Sequence, residues 1–257
     1  MIKVSRPARI ISKSGVYHII FRGINRQNLF EEEKDFEKML KIIERVQDEY
    51  KFSIYAYCLM SNHVHLFLKE NNMGDVKAFM HKILSMYVSW FNFKYQRSGS
   101  LIGNRYKSEP IENDKYYLTL IRYIHQNPLK ANITKKLSEY LWSSYNIYIS
   151  DNTRDIVDID FALDMFSEDR DTAKKAFKEF HEILGDENFE LSDKIRLTDD
   201  QLKRKMLEIA KVEKLSDIAL QNKQDRNTII RNLRNNRISI RDIERMTGIS
   251  RGVISRV

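Results

Sequence analysis

The run from Tyr57 to Leu68 constrains the fold more than any other part of the sequence, because it is rich in strand-forming residues and contains two histidines. Side chains on a β-strand alternate between its two faces, so His63 and His65 point the same way, roughly 6.6 Å apart along the backbone. The alternate apolar residues point the opposite way and predict a buried face. Two imidazoles side by side on a rigid strand predict half of a metal site, and a purely structural strand is the alternative.

Strand and helix patterns alternate along the first 130 residues. Strand patterns cover residues 16–22, 52–58, 63–69 and 104–111, and helical patterns cover residues 31–49, 75–95 and 113–126. The last helix is expected to begin at a cap formed by Asn113 or Asp114 and to end before Pro128, since the residue before a proline disfavours helix. The order β-α-β-β-α-β-α predicts an α+β fold, namely a ferredoxin-like antiparallel sheet with helices on one face.

The charge pattern divides the chain into three parts. The net charge is +9 over residues 1–150, −9 over residues 151–193 and +8 over residues 194–257. We predict that these parts are the α+β domain, an acidic helical bridge and a basic all-helical domain. Either basic region could bind a polyanion such as a nucleic acid.

The chain has one cysteine and no long apolar run. Cys58 cannot form an internal disulfide, which suits a reducing cytosol, and its apolar neighbours predict a buried packing role. The first residues lack the apolar core of a secretion signal, and no segment is apolar enough to span a bilayer. We therefore expect a cytoplasmic protein with no membrane partner.

A second group of candidate residues lies at the end of the helix before the proline. Tyr123 and Asn127 are four residues apart and share one side of the helix. A phenol has an ordinary pKa of about 10, so a tyrosine nucleophile needs a metal-polarised phosphate, a nearby base or both. The amide oxygen of Asn127 suits a third ligand, beside two imidazoles, for Mg²⁺ or Mn²⁺. The alternatives are a core role for Tyr123 and a helix stop at Asn127.

The other histidines are predicted to have no ligand role. His18 and His81 have no partner at ligand spacing, and we interpret them as structural. We expect His125 and Gln126 either at the surface or behind the metal ligands.

Three segments carry a family resemblance: residues 60–67 (MSNHVHLF), residues 104–107 (NRYK) and residues 123–131 (YIHQNPLKA). Residues 17–27 and 142–145 add to it. Together they resemble the HUH tyrosine transposases, and within them the REP-associated tyrosine transposases. The resemblance spans roughly residues 5–180.

The resemblance implies a metal-dependent single-strand DNA endonuclease and strand transferase that acts in DNA transposition on single-stranded or hairpin DNA. His63, His65 and Asn127 would bind Mg²⁺ or Mn²⁺, with Asn127 at the place of a glutamine in some relatives. Tyr123 would form a 5′-phosphotyrosine and release a 3′-hydroxyl. Such enzymes are typically homodimers, sometimes with the tyrosine helix exchanged between subunits, and we expect a nucleoid-associated protein in a prokaryotic cytoplasm.

Several further side chains are candidates for contacts with the DNA backbone or bases. Basic residues near the expected strand ends could hold phosphates, namely Arg22, Arg26, Arg105 and Lys107. An aromatic ring, either Phe21 or Tyr106, could stack on an unpaired base. Ordinary surface or core positions are the alternatives for all of them.

The end of the chain is a second candidate for DNA binding. Residues 238–256 fit a helix-turn-helix in which Gly248 permits the turn, and the preceding helices resemble the DNA-binding domain of the replication initiator DnaA. Arg251, Ser255 and Arg256 would face outward from the second helix, towards a major groove. We predict that residues 194–257 bind duplex DNA, with a small dimerisation module as the alternative.

Two other functions remain open from the sequence. A catalytically silent or domesticated DNA-binding regulator could keep the fold without the chemistry. An RNA-binding protein could also use a basic antiparallel sheet with stacking aromatic residues.

Overall fold

The structure of the chain is a computed structural model that describes residues 10–103, 105–113, 116–150, 156–185, 189, 199–236, 238 and 240–255. It divides into two compact units, Met1–Leu191 and Ser192–Val257. The predicted domain boundary after residue 193 lies next to this division.

The described part of the first unit contains one four-stranded antiparallel sheet, with the strands in the order β2-β3-β1-β4. The strands are β1 (Val16–Arg22), β2 (Ser53–Met60), β3 (His63–Lys69) and β4 (Lys107–Pro110). The helices are α1 (Glu33–Tyr50), α2 (Val76–Lys94), α3 (Tyr117–Lys130), α4 (Tyr145–Ile149), α5 (Asp160–Leu163) and α6 (Arg170–Glu182). The element order up to α3 and the α+β fold class are as predicted.

Both faces of the sheet are buried. Each residue of β3 from Val64 to Leu68 is 0% exposed, which includes residues that point to opposite faces. The ring of Tyr117, at the start of α3, packs on Phe67 with 5.4 Å between the ring centroids. Since Phe67 and His65 share a face, α3 covers the face that carries the two histidines.

Helix α3 continues through Pro128, so the predicted end before this proline is wrong. A proline has no N–H to donate to the carbonyl four residues earlier, here that of Ile124. The side-chain Nδ2 of Asn127 donates instead, to the Tyr123 carbonyl at 2.9 Å and to the Ile124 carbonyl at 3.4 Å. The asparagine thus replaces the donor that the proline removes.

The beginning of α3 also differs from the prediction. The helix begins at Tyr117, later than the cap expected at Asn113. The other cap candidate, Asp114, lies outside the described residues.

The region predicted as an acidic bridge packs into the first unit. Phe161 of α5 stacks on Tyr55 of β2 with 3.9 Å between the ring centroids. Phe177 of α6 stacks on Tyr148 of α4 at 4.5 Å and is 0% exposed. Because these aromatic side chains extend the core, we assign residues 156–185 to the first unit instead of to a bridge.

The described part of the second unit is helical. Its helices are α7 (Asp199–Ala210), α8 (Asp217–Leu220), α9 (Lys223–Asn235), α10 (Ile240–Thr247) and α11 (Arg251–Ser255). They enclose a core of their own, in which Met206, Ile230 and Ile243 are 0% exposed. Within the described residues of the whole chain, no helix combines the length and apolar character that a membrane span requires.

Candidate metal and nucleophile site

The turn between β2 and β3 determines where the first histidine lies. Ser61 and Asn62 form this turn. The Gly23 N–H donates to the Asn62 carbonyl at 2.9 Å, and the Leu29 N–H donates to the Ser61 carbonyl at 2.7 Å. A Cβ atom on Gly23 would lie 2.1 Å from the Gln27 carbonyl oxygen, so this close approach requires glycine. The loop after β1 therefore fixes the turn.

His63 is oriented by the residue before it. Its Nδ1 lies 2.7 Å from Asn62 Oδ1, and an amide oxygen only accepts hydrogen bonds, so Nδ1 donates and the lone pair is on Nε2. Burial, and to a smaller extent the neighbouring Arg22, lowers the pKa of His63 to about 4. The ring is therefore neutral at pH 7, the form that binds a metal ion.

His65 is oriented by a residue of the adjacent strand. Its Nδ1 lies 3.1 Å from Nε2 of His18, and the two rings stack with 5.4 Å between centroids. Both side chains are 0% exposed. Burial lowers the pKa of His18 to about 3 and the pKa of His65 well below its usual value. Within the described part of the chain, His65 Nε2 and His18 Nδ1 are buried without a hydrogen-bond partner.

Tyr123 lies beside these histidines in the same chain. Its ring centroid is 5.8 Å from that of His65 and 6.3 Å from that of His18, and the side chain is 4% exposed. Lys130 Nζ lies 5.1 Å from the centroid of the Tyr123 ring, and the ring of Phe189 packs against it at 5.3 Å. A buried phenol next to a positive charge and two histidines is an arrangement that suits a nucleophile.

Asn127 lies one helical turn beyond Tyr123 and is half-buried. Its amide nitrogen is engaged by the helix carbonyls described above. The amide oxygen is then the atom that Asn127 could offer to a cation.

The opposite side of α3 is fixed by a second group of polar residues. His125 Nδ1 lies 3.1 Å from His181 Nε2, and His125 Nε2 lies 2.7 Å from Ser144 Oγ. His181 Nδ1 lies 2.8 Å from the Phe177 carbonyl. Gln126 Nε2 donates to the His181 carbonyl at 2.9 Å. His125 and Gln126 are each 1% exposed, so the surface alternative is wrong for both.

His63 and His65 together suit a divalent cation. His63 and His65 are on the same face of β3. In the part of the chain that the structure describes, His65 Nε2 is buried without a hydrogen-bond partner, and His63 Nε2 has a lone pair because its Nδ1 donates to Asn62. Among the described residues, no group of three or more His, Cys, Asp or Glu side chains could hold a metal ion. The amide oxygen of Asn127 is a candidate for a further protein ligand.

The model of the IS200-like transposase family matches residues 12–127, a range that contains His63, His65, Tyr123 and Asn127. The match covers a little under half of the chain, and we call residues 12–127 the transposase domain because of this similarity. A search of curated proteins found no match to the chain.

Solved structures resemble the chain as well. One is a REP-associated tyrosine transposase bound to a REP hairpin, with a TM-score of 0.50 at 19% sequence identity over 61% of this chain and 93% of that chain. Another is a candidate transposase from Deinococcus radiodurans R1, with a TM-score of 0.33 at 18% identity over 49% of this chain and 97% of that chain. The first likeness supports the fold of the transposase domain.

The basic residues predicted near the strand ends of the transposase domain fall into two groups. Arg22 and Lys107 are half-buried and lie on the face of the sheet that carries the two histidines. Arg22 pairs with His63, and Lys107 pairs with Ile20, the residue of β1 that pairs with His65. Arg26 and Arg105 are exposed. Arg22 and Lys107 therefore lie on the same face of the sheet as the candidate ligands His63 and His65.

The aromatic rings considered for base stacking lie in the core of the transposase domain. Phe21 is 2% exposed and Tyr106 is 6% exposed. The Tyr106 hydroxyl also donates to the Val76 carbonyl at 3.3 Å. Stacking of either ring on a base is therefore wrong, because neither face is open.

The predicted contacts of the second unit are only partly described. Arg251 begins α11, and its Nε contacts Glu244 Oε2 at 2.5 Å. Ser255 is exposed at the end of α11, and Arg256 lies outside the described residues. Gly248 has a φ of +75°, which fits the predicted turn between α10 and α11.

The sequence patterns did not identify two residues of the site: His18 was interpreted as structural, and Asn62 was not among the candidates. Their signals were present in part. His18 stands within a run of strand-forming apolar residues, where a buried imidazole needs a partner. Asn62 directly precedes the first ligand candidate in a short turn. The pairing of His18 with His65 depends on strand register, which spacing along one strand does not reveal.

Proposed function

We propose that the chain is a metal-dependent single-strand DNA endonuclease and strand transferase that uses Tyr123 as its nucleophile in DNA transposition. The observation that carries this proposal is the position of Tyr123. Its ring centroid lies 5.8 Å from that of His65, whose Nε2 is buried without a hydrogen-bond partner among the described residues. The match of residues 12–127 to the IS200-like transposase family supports it.

His63 and His65 would hold Mg²⁺ or Mn²⁺ through Nε2, and Asn127 would supply its amide oxygen. Neutral ligands leave the cation most of its positive charge, which suits an anionic substrate. The bound cation would polarise the scissile phosphate. Asn62 keeps the Nδ1 proton of His63 away from the site, because it accepts that proton in a hydrogen bond.

Tyr123 would supply the atom that forms the new bond. Its phenol oxygen loses a proton and attacks the scissile phosphorus, the bond from phosphorus to the 3′-oxygen breaks, and the 3′-oxygen takes up a proton. The product is a 5′-phosphotyrosine and a free 3′-hydroxyl. The reverse reaction with another 3′-hydroxyl rejoins DNA without a nucleotide cofactor, because the phosphotyrosine bond keeps the energy of the phosphodiester bond that was broken.

Single-stranded or hairpin DNA is the substrate that we propose. The solved REP-associated tyrosine transposase is bound to a REP hairpin. In this chain, Arg22 and Lys107 place positive charge on the histidine face of the sheet, where a strand crossing the site would bring its phosphates.

The test is a denaturing gel of the full chain mixed with Mn²⁺ or Mg²⁺ and labelled oligonucleotides that contain candidate hairpin-forming repeats. We expect a labelled band at the mass of a protein–DNA adduct for the wild type and none for Tyr123→Phe. The matched control is Tyr116→Phe, because Tyr116 is 54% exposed and precedes the same helix. Equal products from the wild type and Tyr123→Phe would exclude the mechanism.

The second unit would contribute a separate contact with duplex DNA. Residues 194–257 carry a net charge of +8, and α10 and α11 pack around Ile243 and Ile254, which are 0% exposed. We expect Arg251→Ala in the full chain to weaken duplex binding and to leave single-strand cleavage unchanged. Gel-shift titrations at two salt concentrations measure this, since phosphate contacts weaken steeply with salt. Unchanged duplex binding would exclude the role of Arg251.

The basic second unit also favours a rival function, that of a catalytically silent DNA-binding regulator. The adduct gel and the duplex titration distinguish the two. Duplex binding without any adduct, across metals and oligonucleotides, would support the regulator.

A further inference from the structure

His18 and His65 share a hydrogen bond whose direction the rest of the fold does not determine. The two nitrogens that face each other are 3.1 Å apart, and both rings are 0% exposed. One of them must donate and the other must accept. With both rings neutral, two arrangements of the protons are therefore available.

The two arrangements present different atoms to the site. If His65 donates from Nδ1, its Nε2 has a lone pair, and the remaining N–H is on His18 Nδ1. If His18 donates from Nε2, His65 carries its proton on Nε2 and offers no lone pair there. In the described part of the chain, neither outer nitrogen has a hydrogen-bond partner that would favour one arrangement.

The second histidine pair shows what a determined direction requires. His125 and His181 are also joined by a 3.1 Å contact. There the Phe177 carbonyl can only accept, so His181 donates from Nδ1, and its Nε2 accepts from His125. His125 Nε2 then accepts from Ser144 Oγ. Every ring nitrogen of this pair has a partner, and each proton has one position.

We propose that His18 is a positioning residue that accepts the Nδ1 proton of His65 and so holds the Nε2 lone pair of His65 towards a divalent cation. This inference rests on the proposed function, because it presupposes a cation at His63 and His65. A cation at Nε2 selects the arrangement in which His65 donates, and the buried acceptor on β1 is what makes that arrangement available.

The two ligand candidates are then oriented by different means. His63 donates to Asn62, which precedes it in the turn, at 2.7 Å. His65 donates across to the neighbouring strand, so the pairing of β1 with β3 is part of the site. Replacement of such an outer partner typically lowers metal affinity about 10- to 100-fold.

The test is titration calorimetry of the full chain with Mn²⁺, using three variants, with His63→Ala as a fourth that removes a ligand candidate. We expect His18→Phe, which keeps a buried ring but offers no acceptor, to weaken Mn²⁺ binding about 10-fold or more. His18→Gln keeps an acceptor of similar reach and should bind within about threefold of the wild type. His81→Asn changes an exposed histidine on α2 and should bind as the wild type does.

The outcomes separate this inference from the proposed function. If His18→Phe binds Mn²⁺ as tightly as the wild type while His63→Ala does not, His18 has no positioning role and the metal site stands. If the wild type itself binds no Mn²⁺, both proposals are wrong.

A second measurement does not depend on whether His18→Phe folds. Nitrogen-15 NMR of the wild-type histidine rings, with and without saturating Mg²⁺, reports which nitrogen of His65 carries the proton. We expect the proton on Nδ1 when Mg²⁺ is bound. A proton that stays on Nε2 of His65 would overturn the inference.

Discussion

Helix α3 is in contact with two buried histidine pairs, which differ in the partners of their outer ring nitrogens. The pair on the side of Tyr123 is His18–His65, the other is His125–His181, and each has a ring-nitrogen contact of 3.1 Å. Both pairs are buried, and burial is the main cause of the lowered pKa in all four imidazoles. Burial and contact distance therefore do not tell the two pairs apart.

The difference lies in the outer ring nitrogens, which are the ones that do not face the other histidine of the pair. In His125–His181 they bond to the Ser144 hydroxyl and the Phe177 carbonyl, so the network is complete. In His18–His65 they are buried without a partner among the described residues. A buried polar atom without a partner costs about 1–3 kcal/mol, so such an atom marks a place where a ligand would repay the cost. We therefore propose that the first pair belongs to the metal site and that the second pair stabilises α3.

The largest effect is expected from the removal of His65, the ligand candidate in the first pair. We expect His65→Ala to lower the rate of adduct formation by more than about 100-fold, because charge stabilisation by a metal is worth several kcal/mol. The rate per folded molecule is measured by quenched-flow gels. A His65→Ala variant that forms adduct at the wild-type rate would remove the distinction between the pairs.

Low pH is expected to destabilise the fold through both pairs. The pKa of His181 is lowered to about 3 by burial, whereas an unfolded histidine has an ordinary pKa of about 6.5. Between these values the unfolded chain binds the proton and the folded chain does not, so stability falls as the pH falls from 6.5 towards 3. The slope is at most about 1.4 kcal/mol per pH unit for each such histidine. Urea titrations between pH 7 and pH 4 measure it, and a flat profile would contradict the buried neutral pairs.

Removal of His125 should affect stability and leave the chemistry intact. His125→Leu leaves His181 Nε2 and Ser144 Oγ without this partner, and we expect a loss of about 1–3 kcal/mol in the free energy of unfolding. Adduct formation per folded molecule should stay within about threefold of the wild type. Chemical denaturation and the adduct gel give the two quantities, and a large loss of rate at unchanged stability would reverse the assignment.

Asn127 can be tested for its two roles at once. Asn127→Asp keeps an oxygen for the cation and loses the N–H donors to the Tyr123 and Ile124 carbonyls, so stability should fall by about 1 kcal/mol and Mn²⁺ affinity should remain. Asn127→Ala should lose both. Calorimetry with Mn²⁺ distinguishes them, and equal affinity in both variants would remove Asn127 from the ligand set.

The smallest expected effect concerns Lys130. The contact of an exposed lysine with an aromatic ring is worth about 0.5–1 kcal/mol, so Lys130→Met should slow adduct formation by about two- to fivefold. Lys136→Met is a matched control on the exposed surface. An effect equal to that of the control would mean that Lys130 does not assist Tyr123.

The sequence predicted the strands of the site better than its helix. The bounds of β1 and β3 agree with the predicted ones, because alternation and strand-forming residues are local signals. The end of α3 was wrong, because the side chain of Asn127 compensates for Pro128 and no propensity includes that bond. His18 was assigned no partner, because its partner lies on another strand.

The central claim is that Tyr123 forms a covalent bond to DNA, and peptide mapping of the trapped adduct tests it most directly. The full chain is incubated with Mn²⁺ and a hairpin oligonucleotide labelled at either the 3′ or the 5′ end, then digested and analysed by mass spectrometry. The account predicts that the 3′-labelled segment is attached through its 5′-phosphate to the peptide that contains Tyr123. Attachment to another residue, or retention of the 5′-labelled segment, would contradict it.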